Sequence, residues 1–120
     1  MQVLVTGAAG YIGSHALRAL ARAGHDPIAL DNLSRGHRAA VPSEVPFHQL
    51  DVRETDKLEQ LLREHRVDCV MHFAALSYVG ESVSEPLKYY DNNTGGTLSV
   101  LKALERVGTP RLVFSSTCAT

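Results

Sequence analysis

The sequence predicts an α/β fold: a doubly wound sheet of five parallel strands in the order 3-2-1-4-5, with helices on both faces. Three observations predict it. Strand-like and helix-like segments alternate along the chain, which implies parallel strands joined by right-handed crossovers. The strand-like runs are short and nearly continuously apolar, as in a sheet covered on both sides. A glycine-rich turn, "TGAAGYIG", joins the first strand to the first helix.

The elements follow in order. "QVLVTG" is a β-branched run closed by glycine, hence a buried strand. "YIGSHALRALARAG" carries Ile12, Ala16, Ala19, Leu20 and Ala23 at helical spacing and stops at Gly24. "PIALD" is the second strand, led in by the turn "GHDP". "NLSRGHRAAVPSEVP" is polar and broken by Gly and Pro, so mostly loop. "FHQLD" is the third strand. "ETDKLEQLLREHR" is an amphipathic helix with Leu58, Leu61, Leu62 and His65 on one side. "DCVMHFAA" is a fourth strand running into a loop. "PLKYYDNNTGGTLSVLKALERVG" is a long helical stretch ended by Gly108 and Pro110, with "TGG" as weak helix material inside it. "RLVFSS" is the fifth strand. In the expected order this strand lies at an edge, and "RLVF" is apolar for an edge. The reading therefore expects an incomplete domain over residues 1–120, with more sheet to follow.

The composition is that of an ordinary globular protein: 44% hydrophobic, 21% charged, formal net charge -1. That balance argues against nucleic acid or an anionic membrane surface as a partner. Cys69 and Cys118 are far apart and provide no disulfide framework, which suits a reducing compartment. The chain opens on a strand without a charged-then-apolar leader, and no apolar run approaches the length of about 18 residues that spans a bilayer. A cytoplasmic protein is expected.

Gly7, Gly10 and Gly13 form G-x-x-G-x-x-G directly after a strand and before a helix. One glycine permits the tight turn, another lets a pyrophosphate approach the backbone, and the third packs helix against strand. The helix start then offers free N–H groups and a positive dipole end to phosphate. Asp31 stands 18 residues after Gly13, at the end of the second strand. A carboxylate there accepts both hydroxyls of an adenosine ribose and repels a 2′-phosphate, favouring NAD over NADP. Asp31 also suits an Asx turn before Asn32, and both roles are compatible. Arg35 is read as a loop residue facing solvent or adenosine. Asp51 closes the third strand; it reads either as a cap on the following helix, the commoner use, or as an acceptor for an adenine amino group. The chain thus reads as a Rossmann-like NAD-binding domain.

The segments "MQVLVTGAAGYIGSH", "LDNLSRG", "HFAALSYVGESVSEPLKYYDNNTGGTL" and "VFSSTCAT" together resemble the UDP-glucose 4-epimerases, a family of extended short-chain dehydrogenases/reductases. The resemblance covers the whole chain but only about the first third of a family member of typical domain size. "VGESVSEPLKYYDNN" is its most specific part. Related dehydratases carry an acidic pair after the final hydroxyl residue, where Cys118 and Ala119 stand here.

The resemblance implies NAD-dependent interconversion of UDP-glucose and UDP-galactose, and a homodimer for the full-length protein. It places Tyr11 and Ile12 at the pyrophosphate. It wraps Asp31, Asn32, Leu33, Ser34, Arg35 and Gly36 around the adenosine, and sets Asp51 and Val52 against the adenine. Phe73, Ala74, Ala75, Leu76 and Ser77 would run along the cofactor, with Asn92 holding the nearby loop or the cofactor. Thr117 would be the catalytic hydroxyl that bonds the sugar 4-hydroxyl. Two positions depart from the family pattern: Ser77 stands where a lysine is found in some epimerases, and Gly95 where an asparagine is common.

The family's general base is a tyrosine in a Tyr-x-x-x-Lys pair, and this sequence has none: Lys57, Lys88 and Lys102 do not follow a tyrosine by four. The expected activity therefore belongs to a longer protein, and the 120 residues alone are expected to be inactive. A non-catalytic NAD-binding module and another nucleotide-sugar dehydratase or decarboxylase remain as alternatives. His72 reads as a satisfied core histidine rather than a base. Cys69 and His72 point to opposite faces of a strand, so no metal site is expected. Tyr89 and Tyr90 read as packing or dimer-contact residues, and Ser115 and Ser116 as groups that satisfy the strand-end backbone.

Overall fold

A computed structural model describes residues 1–33, 38–73, 95–108 and 111–114. Its elements are β1 (Gln2–Thr6), α1 (Tyr11–Arg22), β2 (Asp26–Asp31), a 3₁₀ turn (Arg38–Ala40), β3 (Phe47–Gln49), α2 (Thr55–Glu64), β4 (Cys69–His72), α3 (Gly96–Val107) and β5 (Arg111–Phe114). The five strands are all parallel and ordered β3-β2-β1-β4-β5, as the sequence predicts.

Strand alternation sends successive residues to opposite faces. Val3, Val5, Ala29 and Cys69 meet Leu17 of α1 on one face. Leu4, Ile28, Leu30 and Val70 meet Leu58, Leu61 and Leu62 of α2 and Val100, Ala103 and Leu104 of α3 on the other. Both faces are dry, which is why β1 reads as an unbroken apolar run. Leu4 and Val5, its central residues, are wholly buried. Truncating such a leucine to alanine typically costs 2–5 kcal/mol.

Two elements differ from the sequence reading. The third strand ends at Gln49 rather than Asp51. The Asp51 carboxylate accepts the Arg53 N–H at 2.9 Å, and the Glu54 N–H bonds the Asp51 carbonyl, so the backbone turns there instead of continuing the ladder. The helix called over residues 86–108 is described only from its "GG" onward. Gly95 has right-handed helical angles, and α3 ends at Gly108. A Cβ at Gly96 would lie 3.1 Å from Val52 Cγ2, so that side chain would have to give by a few tenths of an ångström. Nearby, the Ser99 hydroxyl donates to the Val52 carbonyl and meets the Thr55 hydroxyl at 2.7 Å. α3 therefore grips the segment that follows β3. Among the described residues no helix is long and apolar enough to cross a membrane.

Candidate functional site

Parallel strands deliver all their carboxyl ends to one edge of the sheet. Thr6, Asp31, Gln49 and His72 close β1, β2, β3 and β4 there. The glycine turn begins immediately after Thr6. Gly7 has φ 69°, the left-handed region that a side chain disfavours. The Gly10 N–H bonds back to the Gly7 carbonyl at 3.1 Å. At Gly13 an added Cβ would lie 2.1 Å from the Gly7 oxygen, so only glycine lets α1 start this close to the strand.

α1 begins without a side-chain cap and without an acidic residue in its first turn. Its first main-chain bond is donated by Ser14 to Gly10, at 2.9 Å. The N–H groups of residues 11–13 precede the first helical bond, and α1's own first turn carries no acidic residue. Tyr11 and Ile12 stand exposed beside it, and the Tyr11 ring meets His15 edge-on. An uncapped helix start of this kind suits an anion.

Asp31 is 7% exposed, and its two oxygens do different work. Oδ2 accepts the Ala9 N–H at 2.9 Å, and Oδ1 accepts the Leu33 N–H at 2.7 Å. The second bond is the Asx turn that the sequence suggested. It carries Leu33 into the left-handed region, at φ 63°. The first bond ties the glycine turn to β2, a link that no spacing rule announces. A carboxylate has about four lone-pair positions, so each oxygen can accept a further donor.

Asp51 does not cap α2. That helix starts at Thr55 after Glu54, with no side-chain cap. Instead Asp51 pairs with Arg53 through both oxygens, the shortest contact being 2.7 Å. The Arg53 guanidinium, helped by the Asn32 side chain, holds the Asp51 carboxyl below its ordinary range, against some desolvation. The sequence reading missed Arg53, although a cation two residues beyond a strand-end carboxylate was visible. The Val52 side chain turns into the core beneath α3.

His72 is 1% exposed, and burial lowers its pKa to about 4. Its ring lies 2.7 Å from the Thr6 hydroxyl and 3.4 Å from that of Thr97. The Phe73 N–H also bonds the Thr6 hydroxyl. His72 is a neutral core histidine that ties β1, β4 and α3 together, as its sequence position suggested. Cys69 packs in the opposite face of the sheet.

The structure thus brings Gly7, Gly10, Tyr11, Ile12, Gly13, Asp31, Asn32, Leu33, Asp51, Val52 and Phe73 to the loops and strand ends on this one edge. Ser34, Arg35, Gly36, Ala74, Ala75, Leu76, Ser77, Asn92 and Thr117 lie outside the described residues. So do Tyr89, Tyr90, Ser115 and Ser116.

Sheet order, helix placement and the glycine turn after β1 define the class: a Rossmann-like doubly wound α/β domain. The chain belongs to the NAD dependent epimerase/dehydratase family, whose model matches residues 3–120. It is 52% identical over 120 residues to a UDP-glucose 4-epimerase of Lactobacillus helveticus, covering all of this chain and 36% of that protein. Among solved structures, the UDP-glucose 4-epimerase of Brucella ovis in complex with NAD superposes with a TM-score of 0.94 at 46% identity. That match covers 99% of this chain and 36% of the other. The Bifidobacterium longum enzyme in complex with NAD+ and UDP gives 0.91 at 36% identity, covering 97% and 37%. The chain spans about a third of the length of these relatives.

Proposed function

We propose that this chain is the NAD-binding part of a UDP-glucose 4-epimerase. The observation that carries the reading is the Asp31 carboxylate, buried at the end of β2 and bonded to the glycine turn through Ala9. One group thereby sets the loop for a pyrophosphate and keeps acceptor capacity for ribose hydroxyls. The residues present fit the dinucleotide. The start of α1 offers N–H donors with no acid in its own first turn, Gly13 leaves no side chain between turn and helix, and the Asp31 carboxylate disfavours a 2′-phosphate. Asn32 through Gly36 complete the adenosine side. Asp51 would accept the adenine amino group, with Val52 against the ring. Phe73 to Ser77 and Asn92 would contact the cofactor.

Bound NAD would supply reversible hydride acceptance at C4 of the UDP-sugar. Thr117 hydrogen-bonds the sugar 4-hydroxyl and orients it. The 120 residues contain no Tyr-x-x-x-Lys pair to remove that proton. A general base contributes about 10²–10⁴ in rate, and binding energy from the nucleotide end of the substrate orients the sugar. These residues alone are therefore expected to bind NAD and not to turn over UDP-galactose. The two relatives solved with NAD support the cofactor, and the one solved with UDP supports a UDP-sugar substrate. A cytoplasmic location suits a protein with two distant thiols.

A homodimer is also proposed for the full-length protein. Leu98 and Leu101, one turn apart on α3, are 50% and 47% exposed. An apolar pair on an otherwise well-packed helix is suited to a second copy.

Calorimetric titration of the chain with NAD and NADP tests the cofactor reading. The expected result is NAD binding that exceeds NADP binding. Tighter binding of NADP, or epimerisation of UDP-galactose by these 120 residues alone, would overturn it.

A further inference from the structure

Asp51 and Arg53 flank Val52 in the segment between β3 and α2. Three N–H groups of Arg53 converge on one carboxylate. The backbone N–H donates to Oδ1 at 2.9 Å, Nη2 donates to Oδ2 at 2.7 Å, and Nε lies 3.1 and 3.2 Å from the two oxygens. The Asp51 and Arg53 side chains are 27% and 39% exposed, and an ion pair so exposed adds little to stability. Its effect is on direction. The guanidinium is a planar fork, and with the backbone N–H it grips both oxygens, so the carboxylate cannot turn without breaking several bonds. The backbone beneath is held as well: the Ser99 hydroxyl donates to the Val52 carbonyl, and the Val52 side chain lies in the core with Val100.

The three Arg53 donors leave one of the roughly four acceptor positions that a carboxylate has. The Asn32 side chain, just past β2, reaches the same carboxylate from the adenosine side. An ionised carboxylate only accepts hydrogen bonds. Held in one direction, it selects for a base that presents a donor and against one that presents an acceptor at the same place.

We propose that Arg53 is a positioning residue that sets base selectivity through Asp51: it fixes the carboxylate toward the purine 6-position, so a 6-amino base is taken and a 6-oxo base is disfavoured. The inference rests on the reading of this edge as a dinucleotide site with Asp51 at the adenine. A 6-amino group donates into the position that Asn32 reaches. A 6-oxo group sets its lone pairs against the anion. Without Arg53 the carboxylate turns away from the oxo group and toward the N1–H that hypoxanthine carries, and the selection is lost.

The test is calorimetric titration of the chain with NAD and with nicotinamide hypoxanthine dinucleotide, which differs only in its 6-oxo group and N1–H. NAD is expected to bind about tenfold more tightly, the effect of one hydrogen bond to a charged group. Arg53→Met should shrink that ratio roughly fivefold, chiefly by weakening NAD. In an Asp51→Asn background, whose amide turns to present either a donor or an acceptor, Arg53→Met should leave the ratio unchanged. Equal weakening of both dinucleotides by Arg53→Met would make Arg53 a general charge or a purely structural group, and would overturn the proposal while NAD binding itself stands. An unmodified chain that binds neither dinucleotide would sink the underlying reading of the site as well. Should a variant fail to fold, NMR of the unmodified chain decides: the Arg53 Nε–H should stay protected from exchange with water when NAD is added. Loss of that protection would show that the base displaces the guanidinium from Asp51, against the proposal.

Discussion

The Oδ2 atom of Asp31 accepts the backbone N–H of Ala9 at 2.9 Å, so the carboxylate that closes β2 holds the turn that follows β1. Asp31→Ala removes this bond and the one to Leu33, leaving the Ala9 N–H without its acceptor in a buried setting. A loss of about 1–3 kcal/mol in stability is expected from urea unfolding. NAD affinity should fall and the preference over NADP should narrow. Asp31→Asn retains one acceptor and should lose less stability. A variant as stable as the parent would show that the clip does not hold the turn.

Gly13→Ala places a Cβ 2.1 Å from the Gly7 oxygen, a backbone atom that cannot move aside alone. The turn and the start of α1 must separate. Overpacking of this kind typically costs 1–3 kcal/mol or more. A clear drop in Tm is expected, with loss of NAD binding; an unchanged Tm would contradict the geometry.

Stability should fall with acid in two windows. His72 has a folded pKa of about 4 against an ordinary 6.5, so the unfolded chain takes up its proton first. The stabilisation is complete above pH 6.5 and is lost as pH falls toward 4, amounting to roughly 3 kcal/mol. His48 acts in the same direction. Asp51, held below its ordinary 3.8 chiefly by Arg53, adds a loss only at lower pH. Urea unfolding at a series of pH values checks this. His72→Gln should flatten the slope between pH 6.5 and 4, whatever its effect on stability at neutral pH. An undiminished slope would place the acid sensitivity elsewhere.

Ser99 joins α3 to the segment after β3 through the Val52 carbonyl and the Thr55 hydroxyl. Ser99→Ala should cost about 1–2 kcal/mol, because the buried carbonyl loses its donor. Since that segment carries Asp51, a weaker NAD affinity should accompany the lower stability.

The proposed dimer is tested through its apolar pair. Leu98→Glu with Leu101→Glu should yield a monomer by light scattering with the Tm within a few degrees of the parent, as both side chains lie half exposed on α3. The measurement is made on the full-length protein; a full-length parent that is monomeric at micromolar concentration, or a double variant that still dimerises, would overturn the proposal.

Sequence alone determined the architecture here. The apolar runs of β1, β2 and β4 and the leucines of α2 repeat with periods set by backbone geometry, and the order of short crossovers leaves few topologies. Gly7, Gly13 and Asp31 were legible for the same reason: the turn and the carboxylate belong to one strand–helix–strand pattern. Tertiary structure decided which atoms meet. The Asp31 bond to Ala9 spans 22 residues, the His72 bond to Thr6 spans 66, and His48 reaches His65 only because α2 folds back along β3. It also reassigned Asp51, whose spacing suits a helix cap while Arg53 takes both its oxygens. Periodicity states which face a residue occupies; hydrogen-bond partners depend on ångström distances between segments that only the packed sheet brings together.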